Sequence, residues 1–257
     1  MERPSKTTQP RKMIFHSDKQ WNLGDVSSWE DEERPQKQKR KVKQGETSYL
    51  TPNLDFYQNN MCFEPNGVHI DELLAKWKND YIRLEMNHCY ISWLFPLQQP
   101  GRNSYAKPLT VKEIKSMKED TNVMRRFIES YKLMLGFYGI NLCDERTGEV
   151  GRAYNWEERF KNLNNHSHNN LRITRILKCL GELGYEHFQA PLVRFFLEET
   201  LCNGQLQNVK GSVLDYFIST VRDKRERSNL EHFATKHYKP QEKFKLGPVE
   251  KRRNRRT

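Results

Sequence analysis

The sequence predicts an all-α fold: one globular multi-helix domain framed by disordered basic N- and C-terminal tails. Three observations predict it. From Thr51 onward apolar residues recur at i, i+3, i+4 and i+7 in successive segments. No stretch sustains the two-residue alternation of a strand with β-branched enrichment, and no unit repeats at a fixed period. The predicted boundaries are a tail over 1–49, the domain over 50–240 and a basic tail over 241–257.

Residues 1–50 are rich in Lys, Gln, Ser, Glu and Pro, and little beyond Trp21 and Trp29 could pack, so this segment cannot offset its ordering entropy. Ile70, Leu73, Leu74, Trp77 and Tyr81 then mark one face of a helix that begins after the Pro65-Asn66-Gly67 turn. A short helix carries Tyr90, Trp93 and Leu94 and stops at Pro96, which cannot continue the ladder. Thr110-Val111-Lys112-Glu113 has the spacing of a capping box and predicts a new helix start. The next stripe is Val123, Met124, Phe127, Ile128, Tyr131, Met134 and Leu135, ending near Gly136 or Gly139. Asp144 to Gly151 is polar and Gly-punctuated and reads as an exposed loop. Leu171, Thr174, Ile176, Leu177 and Leu180 form a further helix closed by Gly181 and Gly184. Leu192, Phe195, Phe196 and Leu201 follow as another, up to Asn203-Gly204. A last long helix carries Val209, Val213, Leu214, Phe217, Val221, Leu230 and Phe233, with Pro240 at its end. A helical core of roughly 190 residues needs neither metal nor disulfide to be stable.

Composition excludes several classes. The longest apolar stretches, around Trp93-Leu94-Phe95 and Leu133-Met134-Leu135-Gly136-Phe137, fall far short of the ~20 residues that span a bilayer. The N-terminus has no continuous apolar core and no small-residue cleavage site, so no signal peptide is expected. The five cysteines are scattered without CxxC spacing and read as reduced thiols of an intracellular protein. The net charge of +11 divides as +3 over residues 1–50, +1 over 51–235 and +7 over 236–257. A neutral body with basic tails suits a targeting signal or a phosphate-binding arm better than a shaped nucleic-acid surface, so nucleic acid is expected only at the tails. Lys37, Lys39, Arg40, Lys41 and Lys43, and Lys251, Arg252, Arg253, Arg255 and Arg256, form two clusters of the size that nuclear import receptors read.

Chemical motifs are sparse. His166-Ser167-His168-Asn169-Asn170 could present two imidazoles to a metal, but zinc wants three or four ligands and no partner lies at the usual spacing. It reads instead as a loop in which Asn169 or Asn170 caps the helix from Leu171. His88-Cys89 reads as a core cysteine beside Tyr90 rather than as a nucleophile with its base. GxSxG, P-loop, dinucleotide and HExxH patterns are lacking, so neither an enzyme nor a cofactor is expected. Arg172 and Arg175, three apart on one helical face, could grip a carboxylate or phosphate, or pair internally with Glu198 and Glu199.

Taken together, several strings resemble the conserved domain of the opioid growth factor receptor family. They are Thr51-Pro52-Asn53-Leu54-Asp55-Phe56-Tyr57, Tyr90-Ile91-Ser92-Trp93-Leu94-Phe95-Pro96-Leu97, Ala106-Lys107-Pro108-Leu109-Thr110 and Leu133-Met134-Leu135-Gly136-Phe137-Tyr138-Gly139-Ile140. The resemblance is densest over residues 167–201 and runs from about residue 50 to about residue 240. It implies a soluble receptor unrelated to seven-helix opioid receptors, which binds the pentapeptide Met-enkephalin, resides in the nucleus and cytoplasm and around the nuclear envelope, and restrains cell proliferation. Fuller family members carry a long acidic, Pro-rich extension, whereas this sequence stops at Thr257. Such a peptide presents an ammonium, two aromatic rings, a thioether and a carboxylate. The corresponding candidates are Glu198 or Glu199 for the amine, Trp93 and Phe195 for the rings, and Arg172 or Arg175 for the carboxylate. The alternative is a helical scaffold that binds nuclear proteins or chromatin through its basic tails.

Overall fold

The computed structural model describes residues 51–101 and 103–238. The predicted tails, and with them both basic clusters from Lys37 to Lys43 and from Lys251 to Arg256, lie outside the described residues. Within them the regular secondary structure is helical apart from one hairpin. In order it forms α1 (Pro52–Tyr57), α2 (Ile70–Lys76), α3 (Tyr81–Met86), α4 (Ile91–Leu94), α5 (Val111–Glu119) and α6 (Thr121–Phe137). The hairpin β1 (Ile140–Asp144) and β2 (Glu149–Arg152) follows, then α7 (Trp156–Asn165), α8 (His168–Glu182) and α9 (Glu186–Leu197). A wide π turn over Glu198–Cys202 closes α9. Short helices α10 (Lys210–Ser212) and α11 (Ile218–Thr220) flank a second π segment over Val213–Phe217, and α12 (Lys224–His237) ends the described chain.

The local causes are legible. Thr110 accepts from the Glu113 amide while the Glu113 carboxylate accepts from the Thr110 amide, so the expected capping box opens α5. The same buried carboxylate accepts the Asn53 backbone and side-chain N–H at 3.0 and 3.1 Å, which ties α1 to α5. Asp120 then caps α6 through the amides of Asn122 and Val123. At the other end of α6, Gly139 sits at φ +77, a left-handed turn that glycine adopts without strain, and sends the chain into β1.

Four expectations change. The helix expected to run from Ile70 through Tyr81 breaks at Asn79, whose φ of 66 is incompatible with helix, and Asp80 caps α3 anew. The Asp144–Gly151 loop is in fact the turn and second strand of an antiparallel hairpin, in which Ile140 pairs with Arg152 and Leu142 with Val150. Its strands are too short to show a sustained alternation. Helix α7, with Trp156, Phe160 and Leu163 packed inward, went unread between them. The last long helix divides at Val221 and Asp223, both extended, and Asp223 caps α12.

One contiguous core joins these elements. Tyr131, Met134, Leu135 and Tyr138 of α6 and its end meet Ile173 and Ile176 of α8 and Leu192 and Phe196 of α9, leaving no room for a water between them. Helix α8 is therefore anchored along one side. Its remaining faces carry the polar groups.

Candidate functional site

Helix α8 presents two polar neighbourhoods, one near each end. At the N-terminal end Arg172 is 4% exposed and fully engaged. It donates to the carbonyls of Leu84 at 2.8 Å, Glu85 at 3.2 Å and Asn87 at 3.0 Å, and to the Asn169 side-chain oxygen at 3.2 Å. These carbonyls terminate α3, whose last turn has no helical partners for them, so the guanidinium supplies the missing donors and a cation at the negative helix end. Beside it Glu85 accepts from Asn162 at 2.5 Å and Asn169 at 3.2 Å and lies 2.5 Å from His168 Nε2. Burial alone would raise this carboxyl, but the bonds from His168, Asn162 and Asn169 outweigh it and hold Glu85 at about 2. His88, stacked edge-on against His168, is held below its ordinary value by burial and by the charges of Arg172 and His168. Asn169 thus serves Glu85 and Arg172 and is not a helix cap: α8 starts at His168, and neither Asn169 nor Asn170 is its cap residue.

The C-terminal end of α8 is built differently. Gln189 of α9, fully buried, donates to the carbonyls of Leu177 and Thr220 and accepts the amide of Arg222. This single side chain fixes the turn after α11 against α8. The contact is close: a methyl at Gly181 would sit 2.7 Å from Arg222 Nε and 2.8 Å from Gln189 Nε2. Arg222 in turn donates to the Gly181 carbonyl and pairs with Glu182 at 3.1 Å and Glu186 at 3.6 Å. Between these elements and the segment after α4 lies an open groove of about 420 Å³, lined by Leu97, Gln98, Gln99, Lys178, Glu182, Ser219, Thr220 and Arg222. Sequence reasoning missed it, although Lys178 and Glu182 stand at i and i+4 on one helical face, because Gln98 and Arg222 reach it from 84 and 41 residues away.

The six predicted peptide contacts are placed elsewhere and do not converge on this groove. Trp93 is 1% exposed, stacked edge-on against Phe56, with its indole N–H on the Glu64 carbonyl at 3.0 Å. Phe195 is core, between Phe160 and Phe196. Glu199, buried, holds Arg152 of β2 through two 2.7 Å bonds, while half-buried Glu198 pairs with Arg194 one turn earlier. The expected pairing of Arg172 and Arg175 with Glu198 and Glu199 is therefore replaced by nearer partners. Arg175, half-buried, donates to the Phe95 carbonyl at 2.7 Å.

No three His, Cys, Asp or Glu side chains among the described residues are grouped to hold a metal ion. No helix of the described residues is long and apolar enough to cross a membrane. The cysteines are free thiols, and burial pushes Cys89 up.

Comparison with known proteins identifies the scaffold. The Opioid growth factor receptor (OGFr) conserved region matches residues 46–253. The opioid growth factor receptor of Mus musculus is 58% identical over 201 residues, covering 78% of this chain and 32% of its own length. That of Homo sapiens is 57% identical over 203 residues, covering 79% and 30% respectively. The opioid growth factor receptor-like protein 1 of Rattus norvegicus is 55% identical over 205 residues, covering 80% and 44%. The chain thus spans about a third of the length of the receptors it matches. No solved structure matches it. The matched region takes in every helix described above, so the resemblance carried by the sequence strings is a shared domain, and this chain belongs to the opioid growth factor receptor family.

Proposed function

We propose that this chain binds opioid growth factor, the peptide for which its relatives are named, as a receptor without a membrane-crossing helix and without catalytic chemistry. The observation that carries the reading is the identity of 57–58% with named opioid growth factor receptors over 201–203 residues of this chain. The relatives are named receptors rather than enzymes, which supports the non-enzymatic part. The peptide of the proposal is Met-enkephalin, and the consequence is restraint of proliferation from a nuclear and perinuclear location reached through the clusters at Lys37–Lys43 and Lys251–Arg256. Calorimetric titration of the full chain with Met-enkephalin and a scrambled pentapeptide tests it. Saturable heat with the native order alone is expected; equal heats, or none from a folded chain, would end the reading.

A second reading is favoured by one observation: the segments at the two ends carry nearly all of the +11 net charge. In that case the helical body is a scaffold, and nuclear proteins or chromatin bind the ends. Affinity for such a partner would fall steeply with salt and vanish when both ends are removed, whereas peptide affinity would not.

A further inference from the structure

The chain joins the folded body beside the start of α5. Asn53 donates its backbone and side-chain N–H to the Glu113 carboxylate, and its side-chain N–H also reaches the Lys107 carbonyl at 3.3 Å. Thr51, two residues earlier, therefore lies next to the first turn of that helix. The outward face of α5 carries Val111, Lys115 and Lys118 at i, i+4 and i+7. Val111 is 74% exposed, an apolar side chain left without cover. Lys107, just before the helix, is exposed as well. Of the two carboxylates of α5, Glu113 is buried and consumed by the capping box and by Asn53, which leaves Glu119 as the exposed one. Lys112 already has a partner and is not needed, whereas Lys107, Lys115 and Lys118 enter no ion pair among the described residues. The face is cationic with an apolar spot at its start.

The sequence that precedes Thr51 contains the complement of this face. Over residues 13–33 a single Lys, Lys19, stands against six carboxylates, Asp18, Asp25, Glu30, Asp31, Glu32 and Glu33. Four of these are contiguous and directly follow Trp29. Glu33 stands 18 residues before Thr51, and a chain of that length reaches up to ~60 Å, whereas α5, with 9 residues, is ~13 Å long. The intervening residues from Arg34 to Lys43 carry six cations. The same face repels these, so the attraction selects the acidic run and leaves the basic one as the connection.

We infer that the segment Trp29–Glu33 of this same chain docks on the outward face of α5, with Trp29 over Val111 and the carboxylates of Glu30–Glu33 among Lys107, Lys115 and Lys118. A single exposed ion pair is weak, but several carboxylates meet several ammonium groups here at the high local concentration that one chain provides. The indole adds apolar cover that charge alone leaves wet. Salt should release the segment, because every pair in the contact is near the surface. The contact is intramolecular and independent of any peptide that the body binds.

A water-soluble carbodiimide joins a carboxylate to an amine in contact with it and adds no spacer. An equal mixture of unlabelled and isotope-labelled full-length chains is treated with it at about 50 mM and about 1 M salt, and the links are mapped by mass spectrometry. Links from Glu30–Glu33 to Lys107, Lys115 and Lys118 should exceed those to Lys224 and Lys236, exposed on α12, by about fivefold. They should join residues of equal label and fall severalfold at the higher salt. Trp29→Ser and Val111→Asp leave every linkable group in place, and each should lower these links severalfold in a chain whose helicity by circular dichroism is unchanged. Links spread evenly over the exposed lysines, links confined to the Lys37–Lys43 run, links only between differently labelled chains, or no links from Glu30–Glu33 overturn the inference. Links that persist undiminished in both variants overturn it as well.

Discussion

The two ends of α8 carry similar residues and do opposite things. Near its start, Arg172 spends its donors on carbonyls of the α3 terminus and on Asn169, and His88, Glu85 and His168 close around it. Near its end, Lys178 and Glu182 face an open groove. A cation on a helical face is thus no guide to binding. What decides is whether the surrounding backbone lacks donors: the end of α3 does, and Arg172 is consumed in supplying them. The segment at Leu97–Gln99 places Gln98 on Glu182 and leaves space beyond it.

If the start of α8 is structural, breaking it should cost the most. Arg172→Met strands at least three carbonyls and removes the neighbour of Glu85, so unfolding free energy should fall by about 3 kcal/mol, measured by chemical denaturation. A loss below about 1 kcal/mol would mean that the cluster is not structural. The next effect is acid sensitivity. The folded value of Glu85, about 2, lies below its unfolded value of ~4.3, so its contribution is fully present above the unfolded value and is lost as pH falls from about 4.5 towards 2. His88, also lowered, adds in the same direction: its neutral folded form loses ground once pH drops below ~6.5. Denaturation curves at pH 7, 5 and 3 should show wild type losing stability on acidification more steeply than Glu85→Gln, by of the order of 2 kcal/mol.

At the other end the effects on stability should shrink. Gly181→Ala gains helix propensity of about 1 kcal/mol but presses on Arg222 and Gln189, so net stability should move by less than about 1 kcal/mol. Lys178→Met should change stability by no more than about 0.5 kcal/mol. A Lys178→Met chain that loses as much stability as Arg172→Met would erase the distinction between the two ends.

Local features of this fold were readable because local residues cause them. Thr110 and Glu113 announce α5, and Pro96 falls two residues after α4, as its missing N–H requires. The break between α2 and α3 was also local, in Asn79-Asp80, but the apolar spacing from Ile70 to Tyr81 ran across it and hid it. Helix α7 was obscured for a different reason: its inward stripe is short and includes Arg159, whose guanidinium packs over Tyr81 and Phe137 and bonds the Phe137 carbonyl. The site was least legible. Arg172 looked like a ligand grip because its carbonyl partners lie 85–88 residues away and carry no side-chain signature. The same holds for Glu199, whose partner Arg152 is placed by a hairpin too short to be seen in the pattern.

The division of α8 into a closed, structural start and an open end is tested most directly by backbone hydrogen exchange of the full chain. Slow exchange at Leu84–His88 and His168–Arg172, with faster exchange at Leu97–Gln99 and Ser219–Arg222, is the predicted result. Exchange at Leu84–His88 and His168–Arg172 as fast as at Leu97–Gln99 and Ser219–Arg222 would contradict it.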